Sequence, residues 1–207
     1  ERTDPAAVAD GLGVRPGTPT ISVNGGAIEA AMLGNPWVAD VEVTVSWPGS
    51  VEIDVRERVP VSSISTDLGT FSVALDGVLV ERTQGGLVPP IIYSDGAGAA
   101  REGSQISHAG TLGAIEFAAG LSPGLRRSTT VLVERDTVEA LVDQYTVSLG
   151  RPVDMAFKAA AVEAVIETGL EAGSRIDVTA PSRPAVARPQ SQLEGESETL
   201  EQSQPSD

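Results

Sequence analysis

A run of alternating apolar residues, folded in half by a Pro-Gly pair, constrains this chain more than any other feature. Val41, Val43, Val45 and Trp47 alternate with Glu42, Thr44 and Ser46, and Val51, Ile53 and Val55 alternate with Glu52, Asp54 and Arg56. A period of two places each apolar set on one face of an extended segment, so the sequence predicts two half-buried strands. Pro48-Gly49 lies between them. Proline presets φ at the first corner of a turn and glycine accepts the positive φ of the second, which predicts an antiparallel hairpin. The spacing leaves the register of the pair open.

The hairpin is framed by Asn35-Pro36-Trp37-Val38 on one side and Glu57-Arg58-Val59-Pro60-Val61 on the other. That order resembles the FtsQ (DivIB) bacterial cell-division family, whose pattern runs PWV, a strand, a Pro-containing turn, a strand, then ER-x-P-V-A. Ser62 stands where the family has a small Ala. Shorter stretches extend the resemblance. Leu75-Asp76-Gly77-Val78-Leu79 is similar to the family's DG turn, and Val88-Pro89-Pro90-Ile91-Ile92-Tyr93 to the segment that follows it. Leu149-Gly150, seven residues and Lys158 resemble its LG-x7-K landmark, and Ser174 to Ala180 its IDvR strand. The resemblance implies an α+β fold: a truncated POTRA domain over 1–58 (ααββ, first strand missing), then a mixed β-sheet domain with two helices over 59–187. A disordered acidic tail over 188–207 completes it. Glu1 opens the chain, and no apolar run approaches the roughly 20 residues of a membrane span. A family member carries one transmembrane helix ahead of its extracytoplasmic part, so the resemblance implies a truncated soluble portion whose first domain, lacking a strand, is comparatively mobile.

Taken in order, Thr3 or Asp4 caps a first helix with Pro5 in its first turn and Gly13 past its end. A second helix over about 26–33 groups Ile28, Ala31 and Met32. After the hairpin, apolar segments at 61–64, 71–75 and 78–80 are divided by Asp67-Leu68-Gly69 and Asp76-Gly77, and Asp-Gly between alternating residues signals a hairpin. Residues 96–103 read as an exposed loop. A helix over about 107–119 stacks Leu112, Ile115 and Ala119. Strands are expected over 129–134 and 141–149, joined across 135–137. In the last helix Phe157, Ala161 and Val165 share a face, and Gly169 ends it. In the strand at 174–180, Ile176, Val178 and Ala180 point one way and Arg175, Asp177 and Thr179 the other. Beyond Pro189 the residues are almost all Ser, Gln, Glu and Pro, a composition that cannot offset its ordering entropy.

Composition bounds the chemistry. Lys and Arg number 14 against 29 Asp and Glu, a net charge of -15, which repels nucleic-acid backbones and anionic headgroups. With no Cys, thiol catalysis and disulfides are out of reach. His108 is the single histidine, and it reads as solvated or adjacent to a helix cap. No Gly-rich stretch fits a phosphate loop. The acidic groups Asp136/Glu139/Asp143 and Glu163/Glu167 read as solvated faces rather than metal sites. Aromatic content of 3% leaves little for a carbohydrate platform. No catalytic residue, cofactor or metal is expected. Ala, Gly and Val in abundance with few lysines hint at a high-GC genome such as an actinobacterium's.

Function is expected at the last strand. Nothing after 175–180 is available in sequence to pair with its outer side, so its free backbone groups can accept another chain by strand addition. In the family that edge, with the helix before it, docks FtsB (DivIC) in complex with FtsL. Carried onto this chain, the partner-binding positions are Ile176, Val178, Thr179, Ala180, Ser182, Ala185 and Val186, with Lys158 as either a partner contact, a polar contact to the sheet or a solvated residue. Pro181 and Pro184 lack donors and interrupt the pairing. The expectation is a non-enzymatic divisome scaffold in the cell membrane at the septum, single-pass and mostly extracytoplasmic. It helps control septal peptidoglycan synthesis and has other divisome membrane proteins as partners of the POTRA domain. The alternative is a POTRA-type transport or chaperone module that binds extended polypeptides.

Overall fold

Asp4 opens helix α1 (Pro5–Gly11): its side chain accepts the Ala6 N–H at 2.9 Å, and Pro5 takes a first-turn position where no backbone donor is needed. Asn24 caps α2 (Gly25–Leu33) in the same way, accepting from Ala27 N at 3.1 Å. The alternating residues become β1 (Val38–Ser46) and β2 (Ser50–Glu57), an antiparallel two-stranded sheet. Its register pairs Val41 with Val55, Val43 with Ile53 and Val45 with Val51, so both apolar sets lie on one face. Buried Ile28 and Met32 of α2 are its helical complement, each worth about 1.5–3 kcal/mol of burial. Ala31, expected with them, is exposed. Trp47 lies past the end of β1 and is exposed, so the apolar alternation stops one residue pair earlier than the pattern suggests. The structure, a computed structural model, describes residues 4–15, 17–47, 49–98 and 100–189.

The two ends of the hairpin are clasped by the residues that frame it. Asn35 Oδ1 accepts the Trp37 N–H at 3.0 Å, and Arg58 N donates to Trp37 O at 2.7 Å. The Arg58 guanidinium donates to the carbonyls of Pro36 and Val38 and pairs with Asp76 at 2.7 Å. One arginine thus ties the hairpin base to the Asp76-Gly77 turn beyond it, which is a physical reason for Trp37 and Arg58 to stand where they do.

The remaining strands form one nine-stranded mixed sheet: β3 (Pro60–Thr66), β4 (Gly69–Ala74), β5 (Leu79–Arg82), β6 (Ile91–Ser94), β7 (Thr129–Glu134), β8 (Thr137–Val142), β9 (Tyr145–Gly150), β10 (Arg175–Asp177) and β11 (Ala185–Ala187). Their spatial order is β11-β10-β9-β8-β7-β6-β3-β4-β5. The pairs β3–β6, β6–β7 and β9–β10 are parallel and the others antiparallel. Register carries one core row across the sheet: Ile64, Ile92, Val131, Ala140, Val147 and Ile176 are successive partners, and all are buried. Helices α3 (Ala109–Gly120) and α5 (Met155–Glu167) pack over that face, with α4 (Pro123–Arg127) after α3. Among the described residues the opposite face carries no helix, and Tyr93, Leu132 and Leu141 are exposed on it.

Several expectations change here. The apolar run at 141–149 is two strands, because the chain reverses at Asp143-Gln144 with Asp143 at φ 55°, and Arg135, at φ 52°, makes the preceding reversal. Neither turn contains Gly or Pro, so composition did not mark them. Helix α3 buries Gly110, Thr111, Gly113, Ala114, Ile115, Phe117 and Ala118 rather than one stripe. It is wedged between sheet and α5: a Cβ on Gly120 would lie 2.9 Å from Ala159 Cβ of α5, and one on Gly113 2.5 Å from Pro152 Cβ just ahead of it. In α5 the buried residues are Met155, Lys158, Ala159 and Val162, while Phe157 is exposed, so the helix is rotated from the Phe157/Ala161/Val165 face. Helix α4 was not expected. Within 96–103 a 3-10 turn at Asp95–Ala97 buries Ala97, so that loop is partly packed. The tail expected over 188–207 lies, from residue 190 on, outside the described residues.

Candidate partner-binding edge

The strand expected at 174–180 is shorter and more enclosed than its sequence suggests. β10 spans only Arg175–Asp177 and is paired on both sides, parallel with β9 and antiparallel with β11. It is therefore not the edge. The chain turns back over 178–184, with Arg183 N donating to Ala180 O at 2.9 Å, and Pro181 and Pro184 fall in that turn instead of interrupting a ladder. β11 takes the outer position, in register Arg175 with Ala187, Ile176 with Val186 and Asp177 with Ala185. Among the described residues it has no strand on its other side, and its three residues are all exposed.

The turn is fixed at its root by Asp177. Its Oδ1 accepts both the Thr179 hydroxyl at 2.7 Å and the Thr179 N–H at 2.9 Å. Those two bonds, the hydroxyl first, hold the Asp177 carboxyl below the usual aspartate range. The Thr179 methyl lies over Gly150, whose φ of 66° and lack of a Cβ let the two backbones approach.

The eight positions expected at the partner surface separate into two groups and one isolated residue, Lys158. Ile176 and Val178 are fully buried core residues, so they can hold the edge but cannot contact a partner. Thr179, Ala180, Ser182, Ala185 and Val186 gather on the β10–β11 turn and on β11; all but Ser182's neighbour Pro181 in that stretch are exposed. Lys158 is 3% exposed, and its ammonium donates to Leu149 O and Arg151 O, each at 2.7 Å. It is the polar contact to the sheet, and a surface contact with a partner is corrected. A helical side chain points back toward its own N-terminus, so the ammonium reaches carbonyls ahead of α5, and those two acceptors offset the unfavourable helix dipole. Burial pushes its pKa down, Asp154 opposes that and Arg151 adds to it. Sequence reasoning missed Arg183, Ala187 and Arg188, which flank or belong to β11. Two prolines within four residues followed by Ala-Val-Ala was the signal for a turn and a returning strand.

Elsewhere, His108 is itself the N-cap of α3: Nδ1 accepts the Thr111 N–H at 3.3 Å and lies 2.9 Å from Thr111 Oγ1. Glu163 accepts the Ser122 N–H, tying α5 to the start of α4. Among the described residues no group of three His, Cys, Asp or Glu is placed to hold a metal, and no helix is long and apolar enough to cross a membrane. Among the described residues the hairpin is a sheet of two strands alone. Glu29 Oε1 accepts Val43 N at 3.1 Å on β1, whereas β2 borders a depression of about 620 Å³ beneath α1, lined by Ala6, Ala9, Val51 and Ile53.

Compared with known families, residues 1–58 match the model described as the POTRA domain, FtsQ-type. No curated protein matches the chain.

Proposed function

From a chain whose residues 1–58 are an FtsQ-type POTRA domain, consistent with an FtsQ/DivIB cell-division protein, we propose a non-enzymatic divisome scaffold that binds its partners by strand addition at β11. The partners in this reading are FtsB/DivIC and FtsL type coiled-coil proteins. The native protein would be a single-pass membrane protein with its bulk outside the cytoplasm at the septum, where this assembly helps control septal peptidoglycan synthesis. The observation that carries the proposal is the exposed three-residue strand that ends a nine-stranded sheet. A strand in that position presents a row of backbone donors and acceptors, and an incoming segment completes them while exposed Val186 supplies apolar contact.

A substitution at Val178 would test the core and not the edge, since that residue is buried. The informative change is Val186→Asp. With the juxtamembrane tail of an FtsB/DivIC type partner as titrant, calorimetry is expected to show binding weakened roughly tenfold or more, the scale of a lost interface anchor, with the thermal midpoint unchanged. Undiminished binding by a folded Val186→Asp protein would remove β11 from the interface.

A further inference from the structure

The face of the nine-stranded sheet opposite the helices carries its own pattern. Register places Ile91, Thr130 and Leu141 side by side across β6, β7 and β8, and Tyr93, Leu132 and Glu139 side by side in the next row. Tyr93 is 46% exposed, Leu132 43% and Leu141 50%. Adjacent strands are about 4.8 Å apart and same-face residues about 7 Å apart along a strand, so these side chains form one contiguous apolar patch. The rows continue onto β9 as exposed Thr146 and half-buried Ser148, and onto β3 as half-buried Ser65 and fully buried Ser63, whose Oγ accepts the Val88 N–H at 2.8 Å, so the patch meets polar residues on both sides and is covered at the Ser63 corner. An exposed apolar patch with a polar border is a recurrent mark of a polypeptide-binding surface.

One end of the patch is acidic. Beyond Tyr93 and Leu132 come Asp95 and Glu134, with Glu139 in the row beside them, and Arg135 is the basic residue there. Two adjoining depressions of about 670 Å³ and about 390 Å³ share Asp95, Leu132 and Glu134 in their walls. Asp95 is engaged with the Arg135 backbone N–H at 3.1 Å, while the carboxylates of Glu134 and Glu139 make no ion pair among the described residues. The sign of this corner selects the occupant. A second copy of a chain with net charge -15 is repelled from it. So is the chain's own segment 190–207, which contains Glu and Asp but no Lys or Arg. Anionic membrane is repelled for the same reason.

We propose that the helix-free face at β6–β8 docks an extended segment of another polypeptide, one that lays apolar side chains on Tyr93, Leu132 and Leu141 and places lysine or arginine against Glu134 and Glu139. Moving from the Leu141 row to the acidic corner takes one or two same-face steps. The basic residue therefore follows the apolar one by two or four positions in the bound segment. The surface is separate from β11, so the molecule can hold two partners at once.

The test uses the whole chain, labelled with 15N, and a synthetic decapeptide in which each Lys follows a Leu by two residues on the same face, with a Leu/Glu counterpart as control. Expected are chemical-shift changes confined to β6–β8 with the Lys peptide, weakened roughly tenfold by Leu132→Asp and likewise by Glu134→Lys with Glu139→Lys. The charge-reversed protein is expected to take the Glu peptide instead, a gain that loss of folding cannot imitate. Shifts that ignore both variants, or that map to Ala185–Ala187, would overturn the proposal. So would a dimer in sedimentation that Leu132→Asp abolishes, which would make the occupant a second copy, or binding to phosphatidylglycerol vesicles at this face.

Discussion

Ser62 is the residue at which this chain departs from the pattern it otherwise resembles, and the structure gives the departure a physical meaning. Its side chain is fully buried in β3, and its hydroxyl has no hydrogen-bond partner among the described residues. A buried hydroxyl left unmatched costs about 1–3 kcal/mol, whereas a methyl in its place costs nothing. Ser62→Ala is therefore expected to raise stability by roughly 1 kcal/mol, read as a higher denaturant midpoint at unchanged slope. A lower midpoint would mean the hydroxyl has an acceptor. Lys158 is the opposite case, a buried polar group with two partners. The sequence left a sheet contact, a partner contact and a solvated lysine open at this position, and only the convergence of the carbonyls of Leu149 and Arg151 on the ammonium decides among them. His108 was half legible: its place before an apolar helix suggested a cap, but only the geometry makes Nδ1 the capping atom.

At the level of elements, the turn between β10 and β11 decides where the sheet ends. Asp177 holds it through Thr179, and its pKa is lowered by those bonds from the ordinary value of 3.8. The folded state then binds the proton less tightly than the unfolded chain. The contribution of this turn is complete above the ordinary aspartate value and is lost as pH falls through the lowered one. On acidification, amide exchange at Ala185–Ala187 is expected to accelerate ahead of β7 and β8. Thr179→Val removes the hydroxyl bond while keeping the methyl over Gly150, and should move that loosening to higher pH; identical profiles for the two proteins would exclude Asp177 as the latch. The hairpin β1–β2 was legible as two paired strands, since alternation and Pro-Gly agree, but its register was not, and Gly49 does not take the positive φ expected of it. The run at 141–149 was not legible, because its reversal rests on Asp143 in a left-handed conformation that any sequence scan for Gly and Pro passes over. The candidate edge was legible as a place, near the last strand, but not as a strand: β11 is three small or apolar residues with no periodicity to read.

Across the whole molecule, function in this reading resides in backbone and surface, and the two surfaces differ in kind. β11 offers hydrogen-bonding groups and one exposed valine, while the open face at β6–β8 offers packed side chains and an acidic border. Both lie on the nine-stranded sheet, to which Arg58 anchors the FtsQ-type domain through Asp76. The chain contains a single lysine, Lys158, and it is enclosed. Amine-directed reagents consequently find no lysine on the native exterior: a succinimidyl ester should modify only an α-amino group at neutral pH, and mass spectrometry should detect acylation of Lys158 only once α5 has separated from β9. Prompt native acylation of Lys158 would contradict its enclosure. Immobilising the protein on a sensor through its lysine amine would therefore capture only chains in which α5 has opened.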